Sequence, residues 1–154
     1  MDIKMNSEQI NLSEIEKYQF QIFKPASLLV IVTIFVWLAM NATRFPIISK
    51  LKDLQVLNYP TQKEKILQSV SGPSNNFINL FEFPVLFYLA CVVIAVCKIN
   101  SGSFMSLAYG FVFFRAIHSL IQSTYNLIMH RFMVYVISCL ILFIMWGNIL
   151  YHIW

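Results

Sequence analysis

Residues 75–88 read Asn-Asn-Phe-Ile-Asn-Leu-Phe-Glu-Phe-Pro-Val-Leu-Phe-Tyr, and they open an apolar run long enough to cross a lipid bilayer. Two polar residues in this run, Asn79 and Glu82, are predicted to lie on one face of a helix. A carboxylate inside a membrane span costs about 2.5–3.5 kcal/mol on insertion scales. Glu82 therefore indicates a functional site, and its partner must lie elsewhere in the chain.

The composition indicates that lipid, rather than water, surrounds most of the chain. Hydrophobic residues make up 58% of the 154 residues and charged residues 12%, whereas a soluble domain carries about 25% charged residues. One domain is the expectation for this length. The net charge is only +4, and no basic block with interleaved aromatic residues is present, so nucleic-acid binding is not indicated.

The cysteines do not indicate a metal site or a disulfide framework. Cys91, Cys97 and Cys139 all lie in apolar runs, where cysteine usually acts as a small packing residue. The sequence contains no Cys-x-x-Cys motif and no Cys/His spacing typical of metal ligands. We therefore predict no metal in this protein.

Four apolar runs predict an all-α integral membrane protein built as a four-helix bundle. A polar, interfacial segment at 1–24 precedes the membrane domain at 25–154, and its mixed charges are not typical of a cleaved signal peptide. Pro84 lies in the first third of the second span, where proline can kink a helix. The predicted spans lie at about 25–43, 76–97, 104–123 and 131–151, with a polar loop at 44–74.

The basic residues outside the spans predict the orientation of the bundle. Five basic residues lie in the first loop, and Arg131 lies at the end of the third loop. On the other side of the membrane, three lie in the N-terminal segment and Lys98 lies in the second loop. The positive-inside rule therefore places the first and third loops in the cytoplasm and both termini outside it.

In this topology, the polar residues of all four spans fall in the cytoplasmic half of the bilayer. At 1.5 Å per residue, Glu82 lies about 9 Å and Arg115 about 11 Å from the inner end of their spans. The converging set comprises Asn75, Asn79 and Glu82 on the second span, Arg115, His118 and Gln122 on one face of the third, Arg131 and Tyr135 at the start of the fourth, and Arg44 at the end of the first.

Three interpretations of this polar set remain open. Glu82 and Arg115 are close in depth and opposite in charge, so they can neutralise each other and fix the helix register. Alternatively, the set binds a small anionic, peptide-like molecule, since guanidinium groups are preferred partners of carboxylates. A proton-coupled transporter would use Glu82 and His118, but the lack of an internal repeat disfavours it.

Three motifs at the ends of the spans share the pattern of a known family. They are Asn79-Leu80-Phe81-Glu82 followed by Pro84, Arg115-Ala116-Ile117-His118, and Arg131 with Tyr135 four residues later. Over residues 25–150 the chain resembles the MAPEG superfamily, the membrane-associated proteins in eicosanoid and glutathione metabolism. The opening run at 75–88 is most similar to the uncharacterised bacterial branch of that superfamily, and this resemblance implies a bacterial inner membrane as the location.

This resemblance implies a homotrimer that binds glutathione between adjacent subunits near the cytoplasmic side. It implies a glutathione-dependent transferase or peroxidase, whose hydrophobic electrophile enters from the membrane lipids. In that activity Arg131 would stabilise the glutathione thiolate, and Tyr135 would donate a hydrogen bond to the sulfur. The other residues that the resemblance assigns to glutathione binding are Asn79, Glu82, Arg115, His118, Gln122 and Arg44.

Four positions depart from the pattern of glutathione-using members. Asn75 and Ile78 stand where arginines are common, Gln122 where a tyrosine is common, and Phe132 where a small polar residue is common. Fewer cations are therefore available for the glutathione carboxylates. The alternative function is a non-catalytic membrane protein whose buried polar network is structural or binds a lipid or a partner.

Overall fold

The computed structural model describes residues 20–99 and 102–154, and every regular element in these ranges is helical. The predicted all-α class is therefore confirmed. Nearly all of the predicted N-terminal segment at 1–24 lies outside the described residues. The helices are α1 (Phe23–Ile48), α2 (Pro60–Leu67), α3 (Ser71–Asn79), α4 (Phe83–Val96), α5 (Gly102–Ser123) and α6 (Ile128–Ile153), with 3₁₀ segments at Leu54–Asn58 and Gln68–Val70.

Four helical stretches are long and apolar enough to cross a membrane, which confirms the prediction of an integral membrane protein. They are Phe23–Ile48, Pro60–Val96, Gly102–Ser123 and Ile128–Ile153. Large apolar side chains such as Phe35 and Phe113 remain exposed on the outside of the bundle. Such side chains can face lipid tails. Within the hydrocarbon region, the helices satisfy their own backbone hydrogen bonds.

Apolar and aromatic side chains fill the half of the bundle interior that is farther from the connection between α1 and α3. Helices α5 and α6 pack along each other, α1 packs against α3 and α5, and α4 packs against α6. The fully buried ring of Phe87 stacks on Phe111, with ring centroids 4.5 Å apart. The indole Nε1 of Trp146 donates to the carbonyl oxygen of Leu86 at 3.2 Å, which ties α6 to α4.

The second span is interrupted after Asn79, because residues 80–82 form a turn between α3 and α4. Pro84 explains the interruption, since its ring would clash with the carbonyl of Leu80 in a continuous helix. Helix α4 restarts with Pro84 in its first turn, where proline is tolerated. The prediction that Glu82 continues the face of Asn75 and Asn79 is therefore wrong, because the helix that would align them ends first.

Gly72 allows α3 to approach the end of α5 closely. A Cβ atom at this position would lie 2.7 Å from the carbonyl oxygen of Gln122, which is closer than side-chain carbons come to backbone oxygens. Gln122 belongs to the predicted site. The glycine therefore sets how near the two site-bearing helices lie.

We expect Gly72→Ala to lower the free energy of unfolding by about 1–3 kcal/mol, because the added methyl group would clash with the backbone of Gln122 and force the two helices apart. Gly147→Ala is the matched control, since a Cβ there meets nothing within 4 Å. Both changes share the gain in helix propensity. Thermal unfolding of the purified variants in detergent measures the difference. Equal transition temperatures for the two variants would contradict the close approach at Gly72.

Candidate functional site

A pocket of about 210 Å³ opens where α3 and α5 meet the beginning of α6. It brings together four residues that the sequence predicted for the site, from three of the spans. Its mouth also carries two apolar side chains that sequence reasoning did not assign. The lining residues are Asn79, His118, Arg131 and Tyr135, with Ile128 and Phe132.

A chain of hydrogen bonds fixes the polar wall of this pocket. Asn79 Nδ2 donates to Gln122 Oε1 at 3.0 Å, and the same oxygen lies 2.9 Å from His118 Nε2. The other imidazole nitrogen, Nδ1, lies 3.1 Å from the carbonyl oxygen of Arg131. His118 and Gln122 are buried and stand one turn apart on α5. The imidazole therefore positions the start of α6, and with it Arg131, relative to α5.

Arg115 lies behind the pocket and is completely buried, with 0% of its surface exposed. Its Nη2 donates to the carbonyl oxygen of Asn79 at 2.6 Å, at the interruption of the second span. Its guanidinium carbon lies 5.6 Å from the centroid of the Tyr135 ring, an arrangement typical of cation–π contact. Nε and Nη1 are buried and have no hydrogen-bond partner among residues 20–99 and 102–154. This cation therefore has donors that the described part of the chain does not satisfy.

Glu82 is not the ion-pair partner that the sequence predicted for Arg115. Its side chain is exposed on the surface of the single chain, at the turn before α4. No ion pair joins Glu82 to Arg115 within residues 20–99 and 102–154. Glu82 lies in the interruption at residues 80–82 and not on a helix that continues from Asn79. A structural ion pair between them is therefore not present in the described chain.

Asn126 holds the side chain of Arg131, and sequence reasoning did not identify it. The Nη1 of Arg131 donates to Asn126 Oδ1 at 2.8 Å, so the guanidinium is drawn toward the short link between α5 and α6. Asn126 has a φ of 52°, a backbone conformation that asparagine tolerates better than most residues. The signal available in the sequence was an asparagine in the short link that precedes Arg131.

Asn76, rather than Asn75, is the buried amide that connects α3 to α5. Its Nδ2 lies 3.2 Å from the carbonyl oxygen of Ser119 and 3.1 Å from Ser123 Oγ, to which it donates. Its Oδ1 accepts from Ser119 Oγ at 3.2 Å. The side chain is 0% exposed, so this set of bonds links the helices behind the pocket. Asn75 is exposed.

Arg44 lies apart from the predicted residues that line the pocket at Arg131. Its Nη2 donates to Ser74 Oγ, so it joins the end of α1 to α3. Together with Asn75 it lines a different, polar pocket that shares no lining residue with the pocket at Arg131. Within the described ranges, no three His, Cys, Asp or Glu side chains are grouped as metal ligands.

A sequence model of one family, described as the MAPEG family, matches residues 22–151. The chain belongs to the MAPEG family. The match includes the first three spans, all but the last two residues of the fourth, and every predicted site residue from Arg44 to Tyr135. A search of curated proteins and a search of solved structures each gave no match. The arrangement of side chains in this MAPEG protein therefore carries the functional argument.

Proposed function

We propose that this MAPEG protein is a glutathione-dependent transferase or peroxidase that acts on a hydrophobic electrophile. One observation carries the proposal: Arg131 and Tyr135 line one pocket, and the buried cation of Arg115 lies behind them with two nitrogens that no acceptor in the described part of the chain satisfies. An anionic ligand with several acceptor oxygens suits such donors. The exposed carboxylate of Glu82 suits a ligand ammonium group. Glutathione combines carboxylates, an ammonium group and a thiol.

The donors in the pocket match what a thiol substrate needs in order to react. A free thiol has a pKa of about 8.5, and only the thiolate is a good nucleophile. The guanidinium of Arg131 would stabilise the thiolate, since an opposite charge nearby favours the ionised form. The hydroxyl of Tyr135 would donate a hydrogen bond to the sulfur. The apolar side chains of Ile128 and Phe132 would exclude water and accept a hydrophobic partner.

Two reactions are compatible with a thiolate held in this way. In conjugation, the sulfur forms a bond to an electrophilic carbon, and the leaving group departs with its electron pair. In peroxide reduction, the sulfur attacks one oxygen of the O–O bond, and the alkoxide leaves and takes up a proton. The resulting sulfenic acid condenses with a second glutathione to give a disulfide and water.

We also propose that the protein assembles as a homotrimer, in which a neighbouring copy covers Glu82. A carboxylate facing lipid would cost about 2.5–3.5 kcal/mol, so contact with a second copy is favoured at this position. The resemblance of residues 75–88 to the bacterial branch of the superfamily supports a bacterial inner membrane as the location. The positive-inside pattern supports an orientation with the connection between α1 and α3 in the cytoplasm and both termini outside.

Thermal unfolding with and without reduced glutathione tests the proposal. At about 100 times its dissociation constant, a ligand that binds only the folded state adds about 2.7 kcal/mol to its stability. We expect a raised transition temperature at millimolar glutathione, together with turnover of 1-chloro-2,4-dinitrobenzene for a transferase or cumene hydroperoxide for a peroxidase. Stabilisation without turnover would favour the non-catalytic alternative, and an unchanged transition temperature would refute glutathione binding.

A further inference from the structure

A second polar pocket, of about 460 Å³, lies between the end of α1 and the segment formed by α2 and α3. Charged and hydroxyl-bearing side chains dominate its lining. No residue of this headgroup pocket, as we call it, takes part in the hydrogen-bond chain around His118. Its lining residues are Arg44, Pro60, Lys63, Glu64, Leu67, Gln68, Ser71, Ser74 and Asn75.

The headgroup pocket lies at the level where the lipid tails end. Arg44 closes the uncharged run of the first span, and its Nη2 donates to Ser74 Oγ. Ser74 lies just before the apolar run of the second span. The hydrogen bond therefore marks one depth on both spans, at the boundary between hydrocarbon and water. Phospholipid headgroups occupy this depth in a bilayer.

No ion pair within residues 20–99 and 102–154 neutralises the charges in the headgroup pocket. Arg44 has a buried Nε without a hydrogen-bond partner, and its Nη1 donates to no acceptor in the described part of the chain. Lys63 and Glu64 extend from α2, and neither forms an ion pair with any residue that the structure describes. The pocket thus offers two cations for an anion and one carboxylate for a cation.

A separate apolar groove lies along the same face of α1, closer to the middle of the helix. Thr33 and Arg44 are eleven positions apart, which places them within about 20° of each other around the helix and roughly 16 Å apart along it. The groove at Thr33 has a volume of about 220 Å³ and lies between α1 and the second span, as the headgroup pocket does. Its lining residues are Val30, Thr33, Ile34, Leu80, Phe81 and Tyr88.

We propose that the headgroup pocket binds the phosphoethanolamine headgroup of a membrane phospholipid. Arg44 and Lys63 hold the phosphodiester through charge-assisted hydrogen bonds, and Glu64 holds the ammonium group. One acyl chain of the same lipid descends along α1 into the apolar groove at Thr33. A free phosphate would use the same cations, but it would use neither Glu64 nor the groove. The lipid would tie α1 and α2 to the start of α3.

Lipid binding to the purified protein, measured by native mass spectrometry from a phosphate-free, non-ionic detergent, tests this site. Phosphatidylethanolamine and phosphatidylglycerol with identical acyl chains are compared. We expect the wild-type protein to bind phosphatidylethanolamine more tightly. Lys63→Gln and Arg44→Gln should each weaken that binding tenfold or more. Lys52→Gln, which changes an exposed lysine of the same connection outside the pocket, should leave it unchanged.

Several outcomes would overturn the assignment. Wild-type affinity in Lys63→Gln would do so even if Arg44→Gln does not fold, because Lys63 is exposed and its side chain forms no hydrogen bond or ion pair with the described chain. Displacement of the lipid by inorganic phosphate alone would indicate a free-anion site, and displacement by glutathione would assign the pocket to the thiol substrate. Glu64→Gln should abolish the preference for phosphatidylethanolamine, and an unchanged preference would refute the ammonium contact.

Discussion

Arg131→Ala should lower kcat/KM for glutathione conjugation by about 10²–10³-fold, the effect typical of removing one donor that stabilises a developing anion. Arg131 lies on the first turn of α6 and lines the pocket beside Tyr135. Its side chain forms only one hydrogen bond in the described chain, to Asn126 at an exposed position. Loss of the guanidinium therefore removes charge from the pocket without removing a buried contact, and the fold should persist.

The pH dependence separates thiol activation from a loss of structure. Without Arg131, ionisation of bound glutathione should move upward toward the pKa of a free thiol, about 8.5, so the rate should rise at higher pH than in the wild-type protein. Arg131→Lys should restore part of the rate at neutral pH. Light scattering with subtraction of the detergent contribution checks that the oligomeric state is unchanged.

Asn126→Ala is the matched control for the position of the cation. It removes the hydrogen bond to Arg131 Nη1 but keeps the positive charge, so its rate should lie between those of the wild-type protein and Arg131→Ala. Wild-type turnover in Arg131→Ala would refute a role in thiol activation. Loss of the oligomer in that variant would instead favour the structural interpretation of the polar set.

The sequence predicted the helical bundle because a bilayer leaves few alternatives. A long apolar run can satisfy its backbone in lipid only as a helix, so composition and run length were sufficient for the four spans. Residue spacing also predicted correctly that His118 and Gln122 share one face of α5, because α5 is an uninterrupted helix of 22 residues. Predictions that depended on a continuous helix and on local spacing agreed with the structure there.

The second span differed from its prediction because Pro84 acts on residues before it. The prediction from periodicity required an unbroken helix in the second span. The break at residues 80–82 instead changes the direction of the side chains that follow it. Glu82 is consequently exposed, and Arg115 bonds to the backbone of Asn79 instead of to a carboxylate. The contact of His118 with the carbonyl of Arg131 joins two helices, so spacing within either helix could not predict it.

Arg115→Met should abolish stabilisation by glutathione while leaving the ligand-free protein as stable as the wild type, or more stable. The wild-type guanidinium is fully buried, donates one hydrogen bond to Asn79 and has two nitrogens without partners. Burial of an incompletely paired charge is unfavourable, and replacing buried ionic groups by apolar ones of similar volume is often neutral or stabilising. Methionine is flexible enough to fill the space.

The thermal unfolding of Arg115→Met, with and without glutathione, distinguishes a ligand-binding cation from a structural one. If the unsatisfied donors bind the ligand, the increment of about 2.7 kcal/mol expected at roughly 100 times the wild-type dissociation constant should disappear. Leu120→Met, at an exposed position of the same helix, controls for the methionine itself and should retain the increment. A ligand-free transition far below that of Leu120→Met would mean that Arg115 chiefly holds the carbonyl of Asn79. In that case the break in the second span, rather than a ligand, explains why this arginine is buried.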